Sequence, residues 1–235
     1  MITNFIFLLL FLLPTISAAS AEKVFLKENF DNLNDWEPLY FPKIARHSTY
    51  TIVSQGEGKY LKAESSASAS GLIYKKTFNV TEFPNVRWRW KVNTIYQKGD
   101  AKTKTGDDYP LRVYVIFEYN PQKVKWLEKV KYESAKILYG KYPPHSSLNY
   151  IWANKNHAER VITSSYTDKS KMILLQRGIF NTGKWQTETV DIRQDYQAAF
   201  GESPPPTGSI ALMNDSDNTG ESSVSYLDEL EIYRK

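Results

Sequence analysis

Hydrophobic and polar positions alternate with a period of two through much of this chain. Over 86–92, Val86, Trp88, Trp90 and Val92 fall on one face and Arg87, Arg89 and Lys91 on the other. Over 111–119, Leu111, Val113, Val115 and Phe117 oppose Arg112, Tyr114, Ile116 and Glu118. Such a period marks strands that bury one face. The same signal, bounded by turn residues, predicts strands over 24–30, 72–78, 149–153, 172–176, 186–191, 209–213 and 225–233, and a hairpin of 49–53 with 59–63 around the turn at 55–58. Two segments break the period. Over 123–139, Val124, Leu127, Val130, Ala135 and Leu138 recur at three- and four-residue steps, which predicts an amphipathic helix stopped by Gly140, Pro143 and Pro144. A shorter helix is expected over 192–200, closed by Gly201 and the prolines at 204–206. Neither forms a strand–helix repeat, which argues against a doubly wound parallel sheet. The expected fold is mainly all-β: an antiparallel two-sheet β-sandwich or jelly roll with two helical insertions. With the tryptophans inward, the polar residues of 86–92 and 111–119 are expected to share the outer face of one sheet.

Composition refines this picture. Residues 5–16 are almost entirely apolar, small residues follow at 17–21, and Ala19 and Ala21 form an Ala-x-Ala site before Glu22. The run falls short of the roughly 20 residues that span a bilayer and reads as a secretory signal peptide. The expectation is a signal over 1–21, a single domain over 22–235, a periplasmic or secreted location, and no stable membrane insertion after cleavage. The chain has no cysteine, so no disulfide or thiol chemistry enters. A net charge of +4, from 30 basic and 26 acidic residues well interspersed, argues against a nucleic-acid partner.

The densest candidate chemistry lies in two acid-rich loops. Asp215, Asp217 and Asn218 crowd into four positions before Gly220, directly after an apolar strand. Asp107 and Asp108 follow Gly106 and lead into the strand that begins near Arg112. Oxygens spaced this closely suit a hard cation or the hydroxyls of a sugar. Arg112 can meet an anionic group with its planar fork, aided by Asp107 or Asp108. Lys91, Tyr114 and Glu118 share the expected polar face. Trp152, between Asn149 and Asn154, is a candidate sugar-stacking platform, while Trp126 belongs with the helix stripe. His47, His145 and His157 are scattered through loops, and no zinc helix, nucleophile elbow or phosphate loop is present.

The ends of the domain, Glu28 and Phe30 with Trp36 soon after, and Asp228, Leu230 and Ile232 near the close, resemble jelly-roll carbohydrate-binding modules. That resemblance implies a structural calcium shared by Glu28 and Asp228. A closer likeness rests on Trp88, Trp90, Lys91 and Val92; Gly106 to Asp108 with Tyr109, Leu111 and Arg112; Asn149 to Ala153; Asp195, Tyr196, Phe200 and Gly201; and 215–220. Together these resemble an exported bacterial family, domain of unknown function 3047, over nearly all of 22–235. The likeness implies a β-sandwich related to carbohydrate-recognising jelly rolls and no established activity.

The functional expectation is therefore non-catalytic recognition of a saccharide, an anionic glycan in particular, or of another anionic small ligand. Asp107, Asp108, Arg112 and Asn218 would hold the ligand, with Lys91, Tyr114, Glu118 and Trp152 beside them, and Asp215 and Asp217 would hold calcium. The alternatives are a glycan-cleaving hydrolase or lyase built from the same cluster, or a structural envelope protein without a small ligand. The Glu-x-Asp-x-x-Glu strand pattern of sandwich glycosidases is absent. A lyase would need Lys91, Arg112 and Tyr114 to converge.

Overall fold

The computed structural model describes residues 22–55, 58–120, 122 and 143–235. The expected signal at 1–21 and the expected helix at 123–139, with Trp126, lie outside them. In chain order the strands are β1 (Lys23–Glu28), β2 (Trp36–Leu39), β3 (Thr49–Gln55), β4 (Gly58–Ser66), β5 (Ala69–Tyr74), β6 (Phe78–Asn79) and β7 (Asn85–Val92). There follow β8 (Arg112–Phe117), β9 (Ser146–Ala153), β10 (Val161–Thr163), β11 (Ser170–Arg177), β12 (Gln186–Asp191), β13 (Thr207–Asp215) and β14 (Ser222–Arg234). One helix, α1 (Ile192–Phe200), separates β12 from β13.

The strands form the two-sheet sandwich that the period-two pattern calls for. The first sheet runs β12-β7-β14-β4-β3, with β1 beside β14; the second runs β10-β11-β9-β8-β13-β5-β2, with β6 beside β13. Pairing is antiparallel except between β11 and β9, which run parallel. Two short strands, β2 and β10, carry too little alternation to be read from sequence. Both sit at edges of the second sheet, where Pro38 in β2 leaves its missing N–H harmless.

Aromatic side chains from both sheets join them. Trp88 and Trp90 point inward from β7, and Tyr150 and Trp152 point inward from β9; all four are fully buried. Trp88 meets Tyr150 at 5.4 Å between ring centroids and Trp90 meets Trp152 at 5.7 Å. Val113, Val115 and Phe117 of β8 complete the same core. Helix α1 forms where its end signals place it. The Asp191 carboxylate accepts from the Arg193 and Gln194 backbone amides at 2.9 and 3.1 Å, and Gly201 closes the helix at φ 77°.

One expectation about faces is corrected. β7 and β8 belong to different sheets, each turning its apolar residues toward the other. Their polar residues therefore point in opposite directions: Arg87, Arg89 and Lys91 lie on the outside of the first sheet, Arg112 and Tyr114 on the outside of the second. Alternation tells inside from outside, but not which sheet a strand joins.

Trp90 fills the middle of the aromatic contact between the sheets. Trp90→Ala is expected to cost about 3–5 kcal/mol, seen as a lower urea midpoint at an unchanged slope.

Candidate functional site

The site is built by the register of two neighbouring strands. β8 and β13 pair antiparallel with Arg112 opposite Met213, so the side chains at 112, 213 and 215 emerge on the same outer face. Asp215 ends β13 diagonally across from Arg112, which begins β8. The Arg112 guanidinium grips the Asp215 carboxylate with both prongs, Nε donating to Oδ1 at 3.0 Å and Nη2 to Oδ2. Both residues are buried, at 5% and 1% exposure. The backbone repeats the link: Tyr109 N–H donates to Asp215 Oδ1 at 3.3 Å, and Asp215 N–H donates to the Tyr109 carbonyl at 3.3 Å.

The second acid-rich turn is clamped onto the first. Asp108 is fully buried, and its carboxylate accepts from the Asn218 and Thr219 backbone amides at 3.3 and 2.6 Å. Its carbonyl accepts from Asn154 Nδ2 at 2.7 Å. Gly220, at φ 72°, lets the 216–220 turn close, its N–H reaching the Ser216 carbonyl at 2.9 Å. Two loops about a hundred residues apart in the chain thus meet at one rim, as their composition suggested.

Next to this rim a groove of about 620 Å³ opens on the outer face of the second sheet. Its floor carries Tyr114, Asn149, Met172 and Met213, and one wall carries Phe41 and Ile44 from the β2–β3 loop. Tyr166 stands at the edge, its hydroxyl donating to the Lys104 carbonyl at 3.1 Å and accepting from Asn218 Nδ2 at 2.9 Å. Asp107, Arg112, Asp215, Asp217 and Asn218 supply the polar side. Asp107 Oδ1 and Asn149 Oδ1 are buried acceptors with no hydrogen-bond partner among the described residues.

The electrostatics follow from burial. Desolvation raises the Asp107 carboxyl pKa, with Arg112, whose Nη1 lies 3.8 Å from Oδ1, pulling the other way. Desolvation and the neighbouring Asp108 raise that of Asp217. Burial alone would lower the Arg112 pKa, but Tyr114, Asp107, Tyr109 and Asp108 outweigh it and hold the guanidinium firmly charged. The guanidinium also packs over the Tyr109 ring at 4.6 Å.

Seven of the expected residues therefore converge: Asp107, Asp108, Arg112, Tyr114, Asp215, Asp217 and Asn218. The others do not. Lys91 lies on the opposite sheet, over the rings of Trp185 and Tyr226. Glu118 is exposed beside a separate small cleft with Asn120 and His145. Trp152 is fully buried and donates to the Gly178 carbonyl at 3.1 Å, so it offers no ring face to a sugar. Tyr166, Met172, Met213 and Phe41 were not anticipated. Alternation places Met172 and Met213 on outward faces, but no sequence signal joins them to one groove.

The expected calcium ligands lie in separate places, and Glu28, Asp228 and Asp215 already have protein partners. Glu28 accepts from the Phe30 amide at 2.5 Å and from Trp36 Nε1 at 2.9 Å, while Asp228 is paired with Arg89 at 2.6 Å. Asp108, Asp215 and Asp217 bring carboxylate oxygens within 4.8 Å of one another. Both oxygens of Asp108 are taken by amides, however, and both of Asp215 by Arg112. Calcium takes six to eight oxygen ligands, and the Arg112 guanidinium already sets one positive charge beside these carboxylates. Asp215→Ala, which strands that buried charge, is expected to cost about 3–5 kcal/mol in urea unfolding, while Arg112→Met with Asp215→Leu recovers most of the loss.

A family model described as a protein of unknown function, DUF3047, matches residues 34–231. No curated protein matches the chain. Solved structures similar to it include a family 11 carbohydrate-binding module from Clostridium thermocellum in complex with a β-1,3-1,4-mixed-linked tetrasaccharide, at 12% identity and a TM-score of 0.40, covering 92% of this chain and 96% of that one. A family 12 xyloglucanase from Bacillus licheniformis is 10% identical with a TM-score of 0.45, covering 92% and 100%. The xyloglucanase domain of NopAA from Sinorhizobium fredii is 12% identical with a TM-score of 0.43, covering 85% and 93%. Likeness at this level carries no argument about ligand or chemistry. The family match extends over most of the chain and over both acid-rich turns, and the protein belongs to the DUF3047 family.

Proposed function

We propose that this is an exported saccharide-binding protein and that the groove on the second sheet takes a neutral, hydroxyl-rich ligand. One observation carries the reading: two residues that line the groove, Asp107 and Asn149, each hold a buried Oδ1 acceptor with no donor among the described residues. A buried acceptor without a donor is costly, and sugar hydroxyls are donors that arrive on a ring with apolar faces. Tyr114, Tyr166, Met172 and Met213 suit those faces. The charge balance favours a neutral sugar over the anionic one expected from sequence. Arg112 already spends its fork on Asp215, and the three lining carboxylates outnumber Arg112 and Lys43.

Cleavage has one observation in its favour, because a carboxyl with a raised pKa on a groove is what a general acid requires, and Asp107 and Asp217 both qualify. Titration calorimetry with neutral and uronic-acid oligosaccharides, followed by assay of the same mixtures for new reducing or unsaturated ends, separates the readings. Binding of neutral sugars without new ends is expected; new ends that vanish in Asp107→Asn would establish a hydrolase or lyase. Absence of binding by any saccharide would remove the proposal. Export is checked by N-terminal sequencing of the protein recovered outside the cytoplasm, expected to begin at Glu22.

Tyr166→Ala removes an exposed ring and is expected to weaken binding about tenfold with little change in melting temperature. Asp107→Asn should weaken binding yet stabilise the fold at neutral pH. A carboxyl whose pKa is raised on folding is less content charged in the folded chain than in the unfolded one. That cost is present above the folded value and disappears as pH falls below the ordinary value of 3.8. The gap in melting temperature between variant and parent should therefore narrow on acidification.

A further inference from the structure

Between β11 and β12 the chain makes a short excursion whose backbone is tied at nearly every step. Gly178 N–H donates to the Ala153 carbonyl at 2.8 Å, Thr182 N–H to Ile179 O at 3.1 Å, Gly183 N–H to Val92 O at 2.8 Å and Lys184 N–H to Asn181 O at 3.2 Å. The Thr182 hydroxyl reaches Ile179 O at 2.7 Å, and Asn181 Nδ2 reaches Gln176 Oε1 at 2.8 Å. Gly178 and Gly183 take positive φ values of 58° and 75° that close the turn. This fixed frame holds two adjacent large apolar side chains in water: Ile179 is 70% exposed and Phe180 82%.

Single exposed apolar residues are ordinary, but a neighbouring pair on a hydrogen-bonded turn is a presented surface. Its surroundings are cationic and aromatic. Lys184 Nζ lies 5.5 Å from the Phe180 ring. Trp185 follows, half-buried, with Lys91 Nζ 5.1 Å from its ring and 4.6 Å from that of Tyr226. Arg87, Arg89 and Lys62 on the same outer face are paired with carboxylates. Lys91 and Lys184 have no such partner among the described residues.

We propose that this turn docks the protein peripherally on an anionic lipid surface. Ile179 and Phe180 enter the boundary of the acyl chains, Trp185 lies at headgroup depth, and Lys184 and Lys91 face lipid phosphates. Two side chains at a turn offer far less than the roughly 800 Å² per partner of a stable protein pair. A bilayer interface needs only a few inserted apolar groups with aromatic and cationic neighbours. The unpaired lysines supply the charge complementarity. Among the described residues no helix is long and apolar enough to cross a membrane, and the docking requires none. It is independent of the groove and its ligand.

The test is co-sedimentation of the purified protein with vesicles of phosphatidylcholine alone and with roughly 30% phosphatidylglycerol, a strongly anionic surface. Binding to the anionic vesicles is expected, falling as salt is raised and the screening length shrinks. The double variant Ile179→Ser, Phe180→Ser should lose about tenfold or more in partitioning, the worth of a large apolar side chain, with its circular dichroism unchanged. Lys184→Glu should lose binding to the anionic vesicles selectively. Failure of the parent to prefer anionic vesicles, or equal partitioning by the double variant, overturns the proposal. So does a parent that sediments as a dimer while the double variant is monomeric, which would assign the pair to self-association.

Discussion

The candidate site depends on one interaction, the two-pronged ion pair between Arg112 at the start of β8 and Asp215 at the end of β13. Removing either charge from water is expensive, and the pair repays that cost only with good geometry and its remaining polar atoms satisfied. The surroundings meet both conditions. Asp215 Oδ1 takes a second donor from the Tyr109 amide, and Arg112 Nη2 donates a further bond to the Asp107 carbonyl at 3.3 Å. The pair therefore fixes the exit of one strand and the entry of its neighbour. Asp108 can then cap the 216–220 turn and Asp107 can reach the groove. A buried ion pair is weak evidence of added stability; what this one fixes in place is the shape of a rim.

Beneath the rim a polar layer carries the same logic into the sandwich. Asn214, fully buried, donates to the Pro110 carbonyl at 2.6 Å and to Ser223 Oγ at 3.2 Å. Ser223 and Ser65 meet the Tyr96 hydroxyl at 2.6 and 2.7 Å. Burial raises the pKa of that phenol to about 12, so it stays a neutral donor at physiological pH. Tyr96 N–H in turn donates to Asn154 Oδ1 at 2.8 Å, and Asn154 holds the Asp108 carbonyl. A network so fully satisfied is rigid, and rigidity in the supporting layer lets a groove keep its form before a ligand arrives.

What could be read from the sequence, and what could not, divides along the range of the forces involved. The strand at 86–92 and the helix at 192–200 were legible because alternation, the Asp191 cap and the Gly201 stop are local. The meeting of Asp107 and Asp108 with Asp215 to Asn218 was suggested by their shared turn chemistry. Its agent, a buried bidentate pair, was not, because it depends on the register of β8 against β13, set by packing across a hundred residues. Trp152 shows the opposite failure. Its polar neighbours Asn149 and Asn154 imply a surface, yet the strand alternates, and Trp152 shares the inward face with Tyr150 while Asn149 points out. The placing of Arg87, Arg89 and Lys91 beside Arg112 failed for a related reason, since period-two patterning is silent on sheet membership.

The same geometry explains why acid-rich turns need not imply a metal. Four carboxylates, from Asp107, Asp108, Asp215 and Asp217, gather at this rim and would repel one another without a positive charge between them. An ion could provide it, but so can a guanidinium delivered by the fold itself, and Arg112 arrives there automatically once β8 pairs with β13. The planar fork is directional where an ion is not, so it engages Asp215 fully and leaves Asp107 and Asp217 only partly compensated. Desolvation keeps the pKa values of those two acids raised where they line the groove, whereas Asp108 and Asp215, the latter also on the groove, hold the loops together. The uneven sharing of one positive charge thus separates acids that support the site from acids available to a ligand.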